Sequence, residues 1–160
     1  PSGTLEPVAG LFSNQRETNL TSTIALVELA LGELGHAVDA VRLKDPGGAL
    51  HAWRIPKGSS VTRVTLVNRS EFTHLRVCAT VMTMDATVDR AALFAHLLDL
   101  NTSLCGVAFA TDADHVLLVT ERSTLDLDRS EVEDLIARVT TYADEHDDVL
   151  VARFGGRIGA

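Results

Sequence analysis

The sequence predicts an α+β fold: an antiparallel sheet flanked by three helices, in the order α-β-β-β-α-β-β-α. Three observations carry this. Leu20, Ile24, Val27, Leu31 and Leu34 recur at helical spacing and form one apolar stripe. Leu75, Val77, Ala79 and Val81 alternate with His74, Arg76, Cys78 and Thr80, the period of a strand with one buried face. The apolar segments on either side of this pattern are joined by short turns, which suit an antiparallel meander better than parallel crossovers.

Each element follows from local chemistry. Residues 1–17 contain Gly3, Pro7 and Gly10, lack periodicity and read as a flexible tail with an apolar patch at Leu11 and Phe12. The first helix is expected over residues 20–34, capped by Thr18 or Asn19 and ended by Gly35. Residues 38–43 alternate weakly, as a short first strand would, before a turn at Asp45, Pro46, Gly47 and Gly48. Strands follow at 50–55 and 61–67, the second rich in Val and Thr. Asp89 caps a second helix over residues 89–101. A hairpin pairs residues 107–110 with 116–120, and its tip carries Asp112, Ala113 and Asp114. In the third helix Val132, Leu135, Ile136, Val139 and Tyr142 share a face, and Ser130 with Glu133 has capping-box spacing. Gly155 and Gly156 stop it, leaving residues 155–160 as a flexible end and residues 18–154 as one domain.

Composition narrows the function. Hydrophobic residues make up 46% of the 160, enough for a core. No stretch approaches the roughly 18 uninterrupted apolar residues of a membrane helix, and no signal peptide is visible. Net charge is −8 and the pI about 5.1, so phosphate backbones are repelled and direct nucleic-acid binding is disfavoured. The 14 basic residues look scattered, with no run on one predicted face. The acidic balance suits solubility, or a basic partner protein.

Catalytic and metal signatures are missing. Asp144, Glu145, His146, Asp147 and Asp148 are the densest polar cluster, but consecutive helical residues diverge by about 100°, so few of them can face one ion. Asp112, Asp114 and His115 read as turn chemistry. His36, His51, His74, His96, His115 and His146 have no paired spacing, although His51 and His74 would approach each other on adjacent strands in one register. Cys78 and Cys105 have no ligand-spaced neighbour and read as buried free thiols, as in a reducing cytoplasm. No cofactor and no metal is expected.

The second helix carries the most informative pattern. Leu93, Leu97 and Leu100 share one face, and Phe94 and Leu98 lie beside it. So wide an apolar surface suits a helix facing both its own sheet and a second subunit. With Leu75, Met82 and Met84, these residues form the expected dimer or partner interface, and Leu97→Asp is expected to weaken the dimer.

The element order, the Leu98-x-Leu100-Asn101 step into an apolar hairpin, and a C-terminal helix with Ala143 and Asp144 resemble the YbjN-like family over residues 18–154. Those proteins share the fold of the class I type III secretion chaperones. The longer N-terminal tail and the glycine-rich C-terminus depart from the family pattern. The resemblance implies a bacterial, cytoplasmic, non-enzymatic homodimer with a regulatory or chaperone-like role, which binds an unidentified protein client and neither nucleic acid nor membrane. The alternatives are a stress-response accessory protein docked on a basic, nucleic-acid-binding partner protein, and a small-molecule-binding domain.

Overall fold

The structure, a computed structural model, describes residues 9–58, 60–69 and 72–159, with side chains from residue 17 onward. The chain folds as α1 (Ala9–Glu33), α2 (Val38–Val41), β1 (His51–Lys57), β2 (Ser60–Arg69), β3 (Phe72–Thr83), α3 (Arg90–Asn101), β4 (Ala108–Asp112), β5 (His115–Ser123), α4 (Arg129–Phe154) and β6 (Arg157–Ile158). The α+β class and the antiparallel sheet are as expected.

Five strands lie side by side in the order β1-β2-β3-β5-β4, every pair antiparallel, and β6 joins β3. Alternation sorts the side chains of β3. Leu75, Val77, Ala79 and Val81 are fully buried, whereas His74, Arg76, Cys78 and Thr80 are half-buried on the opposite face. A register shift between Thr80 and Met82 then buries Val81 and Met82 together.

The three long helices cover the same face. α4 lies across the middle strands, with Val132, Ile136, Val139, Ala143 and Leu150 turned inward. α1 packs against α4 through Val27, Ala30 and Leu31 and reaches β1, where the Trp53 indole donates to Glu28 Oε1 at 3.4 Å. α3 flanks α4 on the other side, with His96 against Phe154 at 5.5 Å between ring centroids, and packs on β4.

Four expectations change. α1 begins at Ala9, so residues 9–17 are helical rather than a tail; residues 1–8 and the Leu11 and Phe12 side chains lie outside the described ones. The expected strand at 38–43 is the short helix α2, because Val38 and Val41, three residues apart, both turn towards the core, as a helical turn allows. Only residues 42–43 keep strand character: Arg42 bridges Trp53, and the Leu43 amide donates to the Ala52 carbonyl at 2.9 Å. The capping box sits two residues earlier than expected, on Asp128 and Glu131. Arg122, 2.7 Å from Glu131, holds that pair together, whereas Glu133 pairs with Arg129 at 3.1 Å and the Ser130 hydroxyl donates to Asp128.

The fourth change is at the C-terminus. Residues 155–160 were expected to be flexible, yet Arg157 and Ile158 pair with Thr83 and Met82, and the Gly159 amide donates to the Val81 carbonyl at 3.1 Å. Gly156 has φ +80°, and a Cβ there would lie 2.6 Å from the Thr83 carbonyl oxygen. The glycines therefore permit a close approach to β3. Gly156→Ala should destabilise the protein by about 1–3 kcal/mol in urea unfolding, whereas Gly32→Ala, in open space on α1, should stabilise it by about 0.5–1 kcal/mol.

Candidate functional site

The sheet face opposite the long helices carries no helix among the described residues and forms a shallow trough. Direct cross-strand partners share a face, so the registers define its rows. One row runs Arg54, Arg63, Cys78, Val119, Ala108 from β1 to β4. On one side of it lie Pro56, Val61, Thr80, Leu117 and Ala110, and on the other Ala52, Thr65, Arg76 and Glu121. The turn at Pro46–Ala49 rises along the β1–β2 side, and the trough it borders holds about 600 Å³.

The charges on this face are arranged unevenly. Glu121 accepts from Arg69 at 2.8 and 3.1 Å and from Arg76 at 2.8 Å. The Arg69 hydrogen bond, followed by that of Arg76, holds the Glu121 carboxyl down at about 2. Arg54 and Arg63 stand directly opposite each other, and neither has a carboxylate partner among the described residues. The Arg63 guanidinium donates to the Pro46 carbonyl at 2.6 Å, which ties the rising turn to the strand. Like charges directly opposite each other on paired strands are destabilising. Beside them, burial pushes the Cys78 thiol up, so it is a poor nucleophile.

Each outer edge of the sheet is closed to further pairing over part of its length. On β4 the Phe109 amide donates to Asn101 Oδ1 at 2.7 Å, and Asn101 Nδ2 donates to the Phe109 carbonyl at 3.4 Å. The side-chain amide thus takes the place of a neighbouring strand, and this is what the Asn at the end of Leu98-x-Leu100-Asn101 does. On β1, residues 42–43 cover Ala52 and Trp53, and Pro56 has no N–H to offer.

The residues expected to form an interface are dispersed by the fold. Leu75, Met82 and Leu93 are fully buried, and Met84 and Leu97 nearly so, within the chain's own core. Phe94 and Leu100 are half-buried against that core. Leu98 alone stands well out, 68% exposed. The reason is geometric: Leu93 and Leu97 lie one turn apart on the side of α3 that faces the sheet, whereas Leu98 is rotated by about 100° from Leu97. Leu97→Asp would therefore break the monomer's core, not simply separate two subunits.

The polar candidates do not converge. His51 stacks on Trp53 at 5.1 Å on the helix side of the sheet, whereas His74 lies on the open face, with β2 between them. Their expected approach does not occur. His115 Nδ1 lies 3.1 Å from Thr83 Oγ1, and Asp114 pairs with Arg90 at 2.5 Å. In the 144–148 cluster Asp147 points inward, and Asp144, Glu145 and Asp148 point outward. His146 sits against Phe109 at 5.4 Å, and burial there lowers its pKa. Among the described residues no group of His, Cys, Asp and Glu is placed to hold a metal ion, and no helix is long and apolar enough to cross a membrane. Cys78 is half-buried and Cys105 exposed, so neither is the buried thiol expected, and both are free.

Sequence reading missed the arginines of the open face. They look scattered because they are far apart in the chain, but the register gathers Arg54, Arg63, Arg69 and Arg76 on one surface. The available signal was the placement of Arg76 at the outward phase of β3's alternation.

A protein-family model described as T3SS (YopN, CesT) and YbjN peptide-binding chaperone 1, TY-Chap1, matches residues 22–159. The chain belongs to this family. Three solved structures are similar to this TY-Chap1 chain. One is a chain of the ExsC–ExsE complex, at 18% identity and TM-score 0.59, over 81% of this chain and 94% of that one. A chain of the HopA1–SchA chaperone–effector complex gives 13% and 0.56 over 82% and 97%. A chain of the heterodimeric ExoU–SpcU complex from the type III secretion system of Pseudomonas aeruginosa gives 18% and 0.51 over 79% and 96%. At these identities the likeness is one of fold. No curated protein sequence matches the chain.

The Asn101 bridge makes a direct prediction. Asn101→Leu leaves the Phe109 amide and carbonyl without these partners and should cost about 1–3 kcal/mol. The Phe109 amide should then exchange with deuterium faster, by more than global destabilisation explains.

Proposed function

We propose that this TY-Chap1 chain is a chaperone that holds an extended segment of a protein client against the open face of its sheet, acting by binding alone. The observation that carries this reading is the face itself. It is five strands wide and bare of helices, with half-buried Val61, Val67, Leu117 and Val119 among polar groups. Such a surface offers apolar area to an extended chain while staying wet enough to remain soluble. Family membership supplies the class of ligand, a peptide. Addition of a client strand at the outer edges is opposed by Asn101 on β4 and by residues 42–43 and Pro56 on β1.

Self-association belongs to the same reading. Leu98 projects from α3 with half-buried Phe94 one turn earlier, and a second copy meeting it about a two-fold axis would remove both from water. Two free thiols, one exposed, suit a reducing cytoplasm.

One pair of variants separates the two surfaces. Peptides of about ten residues, long enough to cross the sheet, are selected from a displayed library against the wild-type protein. Leu117→Asp, on the open face, should weaken the selected peptides by at least about tenfold, ~1.4 kcal/mol. Leu98→Asp should leave that affinity intact and shift light scattering from dimer towards monomer. Peptide affinity unchanged by Leu117→Asp would refute the face as the binding site.

A further inference from the structure

We infer that the client segment held on the open face is acidic, and that Arg54 and Arg63 select it. This rests on the peptide-binding reading above and names the chemistry of its ligand.

The net charge of −8 suggests a basic partner, but the open face has the opposite sign. Arg54, Arg63, Arg69 and Arg76 lie on it against Glu121 and Asp112. The basic residues divide into two sets. Arg69 and Arg76 share the single carboxylate of Glu121, within hydrogen-bond distance of both. Arg54 and Arg63 face each other across β1 and β2 with no carboxylate between them, in a chain that has 22 acidic residues to draw on. Like charges on directly paired cross-strand residues repel, and a client carboxylate bound at this end of the trough would relieve this through charge-assisted hydrogen bonds. Arginine suits the task because its planar fork binds a carboxylate at two points.

The surroundings favour an extended peptide over a compact anion. From the Arg pair the same row continues through Cys78 to Val119 and Ala108. Strands lie about 4.8 Å apart, so Val119 is roughly 12 Å from the midpoint of the pair, the reach of about four extended residues. A segment crossing the strands would thus set one or two carboxylates at the β1–β2 end and an apolar side chain near Leu117 and Val119. The Pro46–Ala49 turn, tied to Arg63, walls the charged end of the trough.

The test uses three labelled peptides of alternating pattern: Glu with Leu, Gln with Leu, and Lys with Leu. Fluorescence anisotropy is read for the wild-type chain, for Arg54→Gln/Arg63→Gln and for Arg54→Glu/Arg63→Glu. Both arginines are exposed, so these variants should fold, which circular dichroism checks. The Glu peptide should bind the wild type at least about tenfold tighter than the Gln peptide, and added salt should erode that margin. The Gln variant should abolish the preference and the Glu variant reverse it towards Lys. Equal binding of Glu and Gln peptides would overturn the inference and leave the peptide-binding reading standing. Failure of all three peptides to bind would overturn that reading as well. Loss of self-association in the Arg variants, with no peptide preference, would put a second copy on this face and overturn the inference.

Discussion

Everything else in this fold depends on the contact between α4 and the central strand β3. The alternation of β3 turns Leu75, Val77, Ala79 and Val81 to one side, and α4 meets them with Ile136, Val139, Ala143 and Leu150. Five strands at about 4.8 Å span roughly 19 Å, whereas a helix with its side chains is only about 10 Å across. One helix cannot cover such a sheet. α1 and α3 therefore flank α4 on the same side, over β1 and β4 respectively. The chain then has no long helix left for the opposite face. The bare surface is a consequence of how three long helices and five strands divide the burial.

That division also explains the treatment of the edges. A sheet open on one face and unpaired at both sides is a template for adding further strands. Here the edges are closed by small local devices: one asparagine side chain on β4, and two residues with a proline on β1. On the proposed reading, partly closed edges and an open face favour a chain that crosses the strands and is held by side chains, outside the backbone ladder.

The legible parts of the fold were those whose signal is periodic and local. The stripe of α1 as far as Leu31, the alternation of β3, the Asp89 cap and the stop at Gly155 stand in the structure where their residue types place them, whereas Leu34 lies past the end of α1 and is exposed. What escaped depends on partners distant in sequence. Residues 38–43 have a weak period, and Val38 with Val41, three apart and both against the core, fit a helical turn. The C-terminal glycines look like a loose end unless it is known that β3 lies beside them. The α3 stripe was read correctly as apolar, but which leucine faces out depends on the rotation of the helix over the sheet. That rotation buries Leu97 and exposes Leu98. The open face was hidden for the same reason, since its arginines become neighbours only through the registers of β1, β2 and β3.

The central claim is that a peptide lies on the face of this sheet and not at its edges. At 17.2 kDa the protein suits amide chemical-shift mapping, with a library-selected peptide added in steps. The account predicts that the largest shifts fall on Val61, Arg63, Thr65, Cys78, Leu117 and Val119, with α3 and the outer edges of β1 and β4 unmoved. Shifts concentrated instead on Thr111 and Phe109, or on Phe94 and Leu98, would contradict it.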